Sequence, residues 1–315
     1  MHYPMNTIPA VLGRSGDRRF SWNTVCCIVL VLCILVTVVG TVSAASTSER
    51  KEVLYLNSYS KGLEWSDPIT QAIEDRMRDS GYEVNLHVEY MDEKRYKDPA
   101  YESMLAGLYR YKYANQSFDV IIVSDDNAFA FIKKHRQVLF KDTPVVFCGV
   151  NYYSDDMLEG QTAITGVVEQ YDVKNTLATA LLLQPSLRHI YVINDRSATG
   201  AANKKNIGQV IPRFSSQADV TFLEDYSMAE LEDTVATLPP DSMILLMTFN
   251  QDRLGADYTY DAGIRRVRAR AGVPVYGIWE MYLGKGIVGG MLTRGYDQGN
   301  ISAQIATRIL QGESP

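Results

Sequence analysis

Cysteine is almost absent beyond the start of the chain. Of the four in the sequence, Cys26, Cys27 and Cys33 fall within the first 44 residues and Cys148 stands alone after them, so no internal disulfide can staple the remainder and a packed core must hold it together. Excess basic charge is lacking too: net charge is −6 and the pI is near 5.3. A polyanion needs a basic face that displaces its counterions, and this excludes nucleic acid as the partner. There is no G-x-S-x-G elbow, no H-E-x-x-H and no phosphate loop, since Gly284-Lys285-Gly286 lacks the earlier glycine and the following Ser or Thr. His87, His135 and His189 lie on no strand-end loop, which leaves Cys148 without a base and reads as a small buried hydrophobe. What remains is an inventory for binding without chemistry, with no cofactor or metal called for.

The first 46 residues differ in kind. "GRSGDRRF" supplies positive charge, and "SWNTVCCIVLVLCILVTVVGTVSAAS" contains no charged residue. Val25 to Val39 makes an apolar region, and Val42-Ser43-Ala44 places small residues where a signal peptidase reads. The same stretch reaches the ~20 residues that span a bilayer. Residues 1 to 50 are therefore either a cleaved signal peptide or a retained anchor, the small residues favouring cleavage. In both cases Arg14, Arg18 and Arg19 stay inside and the chain after about Ala45 is exported, to the periplasm or the outer face of the cytoplasmic membrane. Removing residues 1 to 44 takes away Arg14, Arg18, Arg19 and Asp17, leaving 28 basic against 36 acidic residues, a net of −8.

The whole chain is 46% hydrophobic and 22% charged over 315 residues, which is globular composition with room for two cores. From Glu52 short apolar runs alternate with amphipathic ones. "EVLYLN", "EVNLHVEYM", "DVIIVS" and "PVVFCGVN" read as strands, separated by helices over about 67–78, 101–113 and 128–139. The pattern restarts with a helix over 173–183 and continues through "HIYVIN", "ADVTFLED", "SMILLMTFN" and "VPVYGI", with helices over about 202–214, 228–238 and 261–271. Strands alternating with helices imply parallel sheets built from right-handed βαβ units. The expected fold is α/β with two lobes: residues 51–168, residues 169–280, and a crossover strand with a terminal helix over 281–315 that returns to the first lobe. In that last helix Ile301, Ile305 and Ile309 fall four apart, with Gly312 at its end. Arg265, Arg266, Arg268 and Arg270 spread around a helix whose apolar side is Ile264, Val267 and Ala271, and read as a solvated face.

Open parallel sheets bind ligands beyond the carboxyl ends of their strands. The residues there are Asn57-Ser58-Tyr59-Ser60 with Trp65, Ser124-Asp125-Asp126-Asn127, Cys148-Gly149-Val150-Asn151-Tyr152-Tyr153, Asn194-Asp195-Arg196 with Thr199-Gly200, Thr248-Phe249-Asn250 and Gly277-Ile278-Trp279-Glu280. Each of Asp125, Asp126 and Asn127 also suits a helix cap. Asp125, Asp126 and Glu169 form a weak candidate for a metal-dependent hydrolase or lyase.

"LNSYSKGLEWSDPI", "DVIIVSDDNAFAFI", "TPVVFCGVNYY", "AITGVVEQYDVKNTLATALLLQP" and "GGMLTRGYDQGNISAQIATRILQGESP" together resemble the ABC-transporter substrate-binding-protein-like family of type I periplasmic binding folds. The resemblance implies two lobes that close on a small organic ligand, in a free binding protein serving a permease or in the sensor half of a membrane histidine kinase acting on a downstream signalling domain. It places ligand contacts at Ser58, Tyr59, Asp125, Asp126, Asn127, Gly149 and Asn151, and in the second lobe at Asn250, Trp279 and Glu280. Trp65 and Glu169 complete the candidate set. An amino-acid-like or aromatic ligand would use Tyr59, Trp65 and Trp279 as stacking surfaces and the carboxylates as ammonium partners. Hinges are expected near Gly166, Gly277 and Gly289-Gly290.

Overall fold

The computed structural model describes residues 50 to 96 and 98 to 315. The expected signal or anchor segment lies outside these residues. Among the described residues no helix is long and apolar enough to cross a membrane.

The first sheet is formed by β1 (Arg50–Asn57), β2 (Glu83–Tyr90), β3 (Val120–Ser124), β4 (Val145–Asn151) and β5 (Ile164–Glu169), all parallel, in the order β2-β1-β3-β4-β5. Helices α1 (Ser66–Arg78), α2 (Pro99–Lys112) and α3 (Asp125–Leu139) connect its strands. Central strands carry apolar residues on both faces, because helices cover both: Val53 to Leu56 and Val120 to Val123 are fully buried, whereas the edge strand β2 is half-buried throughout. On one face Val53, Tyr55, Ile122 and Val146 pack with Ile69, Ile73 and Met77 of α1; on the other, Leu54, Leu56, Ile121 and Val123 pack with Leu105 and Tyr109 of α2 and Phe131 and Ile132 of α3.

The second sheet repeats the plan with β6 (His189–Ile193), β7 (Asp219–Leu223), β8 (Ser242–Leu246) and β9 (Val275–Gly277), parallel, in the order β7-β6-β8-β9. Its helices are α4 (Val173–Leu183), α5 (Ala198–Val210), α6 (Met228–Ala236) and α7 (Tyr260–Arg270). These begin on local caps: Asp172, Ser197 and Thr259 each accept from the backbone N–H three residues on, and Ser227 with Glu230 forms a capping box.

Two expectations change here. β5 was not anticipated as a strand, because Gly166 interrupts a short run that is only half-buried at the sheet edge. A Cβ on Gly166 would meet the Phe147 carbonyl at 2.3 Å, so this glycine serves close strand packing. The stretch 287–293 was expected as a crossover strand and is not one. It runs beside β9 through bonds such as Val288 N to Val275 O at 2.7 Å and Thr293 N to Ile278 O at 2.7 Å, but makes only isolated bridges.

The last helix, α8 (Gly295–Leu310), packs on α1 and the first sheet. Its buried face is not the isoleucine stripe. Ile301 is exposed and Ile305 and Ile309 are half-buried, while Gly295, Gly299, Ser302, Ala303 and Ala306 are buried, the two glycines against α1. Small residues are needed because the backbones come close: a Cβ on Gly299 would lie 2.4 Å from the Ile69 carbonyl oxygen. The chain thus passes from the first sheet to the second after β5, and returns through residues 278 to 294.

Candidate functional site

Each sheet has a switch point where strand order reverses, between β1 and β3 in the first and between β6 and β8 in the second. In open parallel sheets such points are where ligand clefts lie, beyond the carboxyl ends of the strands.

At the first switch point the two loops are tied together. Ser58, fully buried, donates its hydroxyl to Ser124 O at 2.6 Å and accepts from Ala128 N at 2.8 Å, so a residue after β1 caps the helix that follows β3. Trp65 Nε1 donates to Asp125 Oδ1 at 2.7 Å. Asp125 does not cap α3. It sits at φ +69°, a left-handed conformation uncommon outside glycine, against Gly149 at φ +63°. A Cβ on Gly149 would stand 3.1 Å from Asp125 Oδ1, so the glycine makes room for the carboxylate. Gly149 N is held by Gln298 Oε1 of α8 at 3.0 Å. Asp126 accepts from Asn151 N at 3.0 Å and Asn151 Nδ2 at 2.6 Å, and Tyr171 donates to Asn151 Oδ1.

At the second switch point Asn203 Nδ2 approaches Asn194 Oδ1 and Thr248 Oγ1, each at 3.4 Å. Asp195 Oδ2 accepts from Asn250 N at 2.9 Å and Asp195 Oδ1 from Ser197 N at 3.1 Å.

The two halves meet across the cleft. Lys94, on the loop after β2, donates to Tyr260 Oη at 3.1 Å and lies over the rings of Tyr59 (4.7 Å) and Tyr260 (5.2 Å). Tyr152 donates to Asn203 Oδ1 at 2.7 Å. Lys285 pairs with Glu64 at 2.9 Å. Near the crossing, Trp279 Nε1 donates to Glu169 Oε1 at 3.1 Å and Tyr171 stacks edge-on to Trp279 at 4.9 Å.

Carboxylates dominate the electrostatics. Burial pushes Asp125 up to about 7; the Trp65 bond opposes this and the Asp126 charge reinforces it. Burial pushes Glu169 up to about 8, opposed by its bond from Trp279 and reinforced by Asp125. Asp126 is raised by burial and lowered in part by Asn151. For Lys94, burial pulls down but Tyr260, Asp125 and Asp195 outweigh it, and its ammonium is held charged. Among the described residues no group of three or more His, Cys, Asp or Glu is arranged to hold a metal ion.

No protein-family model matches the chain and no curated protein matches it in sequence. Solved structures do match in three dimensions. The ABC domain in complex with L-Trp from Streptococcus pneumonia superposes with a TM-score of 0.59 at 16% identity, covering 84% of this chain and 86% of that one. The ligand-free, open structure of a substrate binding protein with adhesive properties from Clostridium difficile gives 0.59 at 16% identity, with the same coverages of 84% and 86%. An ABC transporter solute binding protein from Bacillus halodurans with bound myo-inositol gives 0.57 at 16% identity, over 86% and 92% of the two chains. The fold is that of the type I periplasmic binding proteins.

In this type I periplasmic binding fold, Tyr59, Trp65, Asp125, Asp126, Gly149, Asn151, Glu169 and Trp279 form one connected group, and Asn250 joins Asp195 at the second switch point. Three expected residues stand apart. Ser58 uses its hydroxyl within its own lobe. Asn127 is exposed and donates to Glu93 at 3.3 Å, because α3 turns it outward. Glu280 pairs with Arg294 at 2.9 Å, away from the group. Four residues fall outside every strand-end run read from the sequence, Lys94, Tyr171, Asn203 and Tyr260, while Tyr152 lies in the run after β4 without being singled out as a ligand contact. Lys94 follows the carboxyl end of β2, a strand end that could have been read like the others. Tyr171 follows β5, the strand not anticipated. Cys148 is buried with its thiol pushed up by burial, consistent with an inert packed residue.

Proposed function

We propose that this chain is an extracytoplasmic solute-binding protein that closes its two lobes on a small organic molecule and serves a permease, without catalysing a reaction on it. The observation that carries this reading is the pairing of switch points: Lys94 and Tyr152 of the first lobe meet Tyr260 and Asn203 of the second, with Asp195 adding its charge to the surroundings of Lys94, and the joining contacts are hydrogen bonds that a hinge motion can make or break. The fold, and solved neighbours described as binding L-Trp or myo-inositol, support it. Thermal-shift screening of the full chain against amino acids, amines, purines, polyols and small carboxylates tests it, since a ligand that binds only the folded state raises apparent stability by mass action. A ligand that shifts Tm and also contracts the scattering profile is expected; a ligand that binds without any contraction overturns the closing mechanism.

A second reading, a ligand-sensing domain of a membrane signalling protein, draws on the uncharged stretch over 21–46. N-terminal sequencing of the exported protein separates the two. A start near Ala45 is expected for the free binding protein, and an intact segment supports the sensor.

A further inference from the structure

The cleft places acceptors against acceptors. Asp125, Asp126, Glu169 and Asp195 all reach it from strand ends, and Lys94 is the one cation held among them. Lys94 is already engaged, with Tyr260 Oη at 3.1 Å and with the Tyr59 and Tyr260 rings. The cations nearby have partners of their own or face water: Lys285 is paired with Glu64, Arg294 with Glu280, Lys204 with Glu224 and Arg196 with Asp225, while Lys61 is exposed on its loop. Among the described residues, Lys94 is the cation that these acids hold charged, and Tyr260 already takes it up.

The oxygens of the four acids are not equally satisfied. Asp126 has both oxygens bonded by Asn151, Asp195 has both bonded by Ser197 and Asn250, and Glu169 is held by Trp279. Asp125 is 2% exposed, and its Oδ2 is buried without any hydrogen-bond partner. In the second lobe the side-chain oxygen of Asn250 is likewise buried and unpartnered. Buried polar atoms are almost always bonded, so an orphaned acceptor in each half of a cleft calls for a ligand that supplies N–H donors. The backbone at Asp125 is held at φ +69° to keep that carboxylate in place. Lys94 itself shows that an ammonium is stable here between aromatic faces.

We infer that the ligand is an organic cation, a primary or secondary ammonium on a flat apolar body and without a carboxylate of its own, whose N–H groups bond Asp125 Oδ2 and Asn250 Oδ1. This rests on the solute-binding reading and sharpens it. The rings of Trp65, Tyr171 and Trp279 would cover the apolar body, and the acid cluster would repel a carboxylate.

Calorimetric titration of the full chain at pH 8 with matched probes tests the inference: tyramine and tryptamine as amines, L-tyrosine and L-tryptophan as zwitterions, indole-3-propionate as the acid and myo-inositol as the neutral solute. At least one amine is expected to bind, with its zwitterionic counterpart at least tenfold weaker and the acid not binding. Asp125→Asn keeps the shape and the acceptor for Trp65 and tolerates the same backbone, and should weaken the amine a hundredfold or more. If that variant fails to fold, Asn250→Asp, which adds a negative charge at the other orphaned acceptor, should tighten the amine. A zwitterion, acid or polyol binding as tightly as the amines, or no amine binding, overturns the organic-cation inference. The solute-binding reading survives that outcome, and falls only if no solute of any class binds the cleft.

Discussion

Asp125 concentrates what is unusual at the level of single residues: a buried carboxylate, a left-handed backbone, an orphaned oxygen and a tryptophan N–H bonded to its other oxygen. The groups facing it are Asp126 beside it, Glu169 from β5, Tyr59 from the loop after β1 and Lys94 from the loop after β2. Its folded-state value of about 7 lies above that of an unfolded aspartate. The native state therefore holds more protons than the unfolded chain between about pH 4 and 7, and unfolding free energy falls as pH rises through that window. Asp125→Asn removes the fall. Urea unfolding should show the variant gaining on the wild type from pH 4.5 to pH 8, by a few kcal/mol; an equal difference at both values would sink the electrostatic account. Trp65 is 7% exposed and belongs to the core cluster as well as bonding Asp125. Trp65→Phe keeps the packing and should cost about 1–2 kcal/mol for the lost bond. Trp65→Ala should cost about 3–5 kcal/mol. Near-equal losses in denaturant titrations would mean that packing contributes little.

At the level of elements, much was readable from the sequence. Every helix was foreseen from its periodicity, with ends displaced by a few residues, and the strands of both sheets except β5 were read from their apolar runs. The reasons for the misses are physical. β5 is an edge strand that tolerates a glycine and is half-buried, so it gives neither an apolar run nor clean alternation. In α8 the isoleucines announced a helix but not its buried side, because contact with α1 selects for absence of side chain, and a hydrophobic pattern cannot register that. For the site, reading strand ends found the carboxylates and tryptophans. Tyr260 and Lys94 lie outside those strand-end runs, and the role of Tyr152 within one of them is not legible, because cross-lobe partners are set by how the sheets face one another. Gly299→Ala tests the helix contact: its Cβ would press 2.4 Å from Ile69 O and 2.9 Å from Ile69 Cα, both backbone, so relief requires α8 to move. A loss of more than about 2 kcal/mol is expected on chemical unfolding, and a neutral result would show that the helices can slide apart freely.

For the molecule as a whole, the proposed closure would rest on a few contacts between the lobes. Tyr152 to Asn203 and Lys94 to Tyr260 bridge the cleft directly, and Lys285 to Glu64 adds an ion pair at its rim. Hydrogen bonds of this kind contribute about 0.5–1.5 kcal/mol each, so the unliganded lobes should exchange between closed and open forms. Removing two of these contacts, in Tyr152→Phe combined with Lys94→Met, should enlarge the radius of gyration of the ligand-free protein in small-angle scattering while circular dichroism stays unchanged; an unaltered radius would mean that the crossing segments fix the angle by themselves. The route of the chain between the sheets bears also on how the protein comes into being. The second lobe is contiguous from α4 to β9, but the first is complete only when α8, which follows the whole second sheet, has come to rest on α1. A chain emerging from its amino terminus can therefore finish its second half first, while the face of α1 around Ile69 and Ala72 stays bare until the last helix arrives. Pulsed hydrogen exchange during refolding should find β6 to β9 protected before α1, and the interval between the two is when a partly made chain is most open to aggregation or to a chaperone's grip.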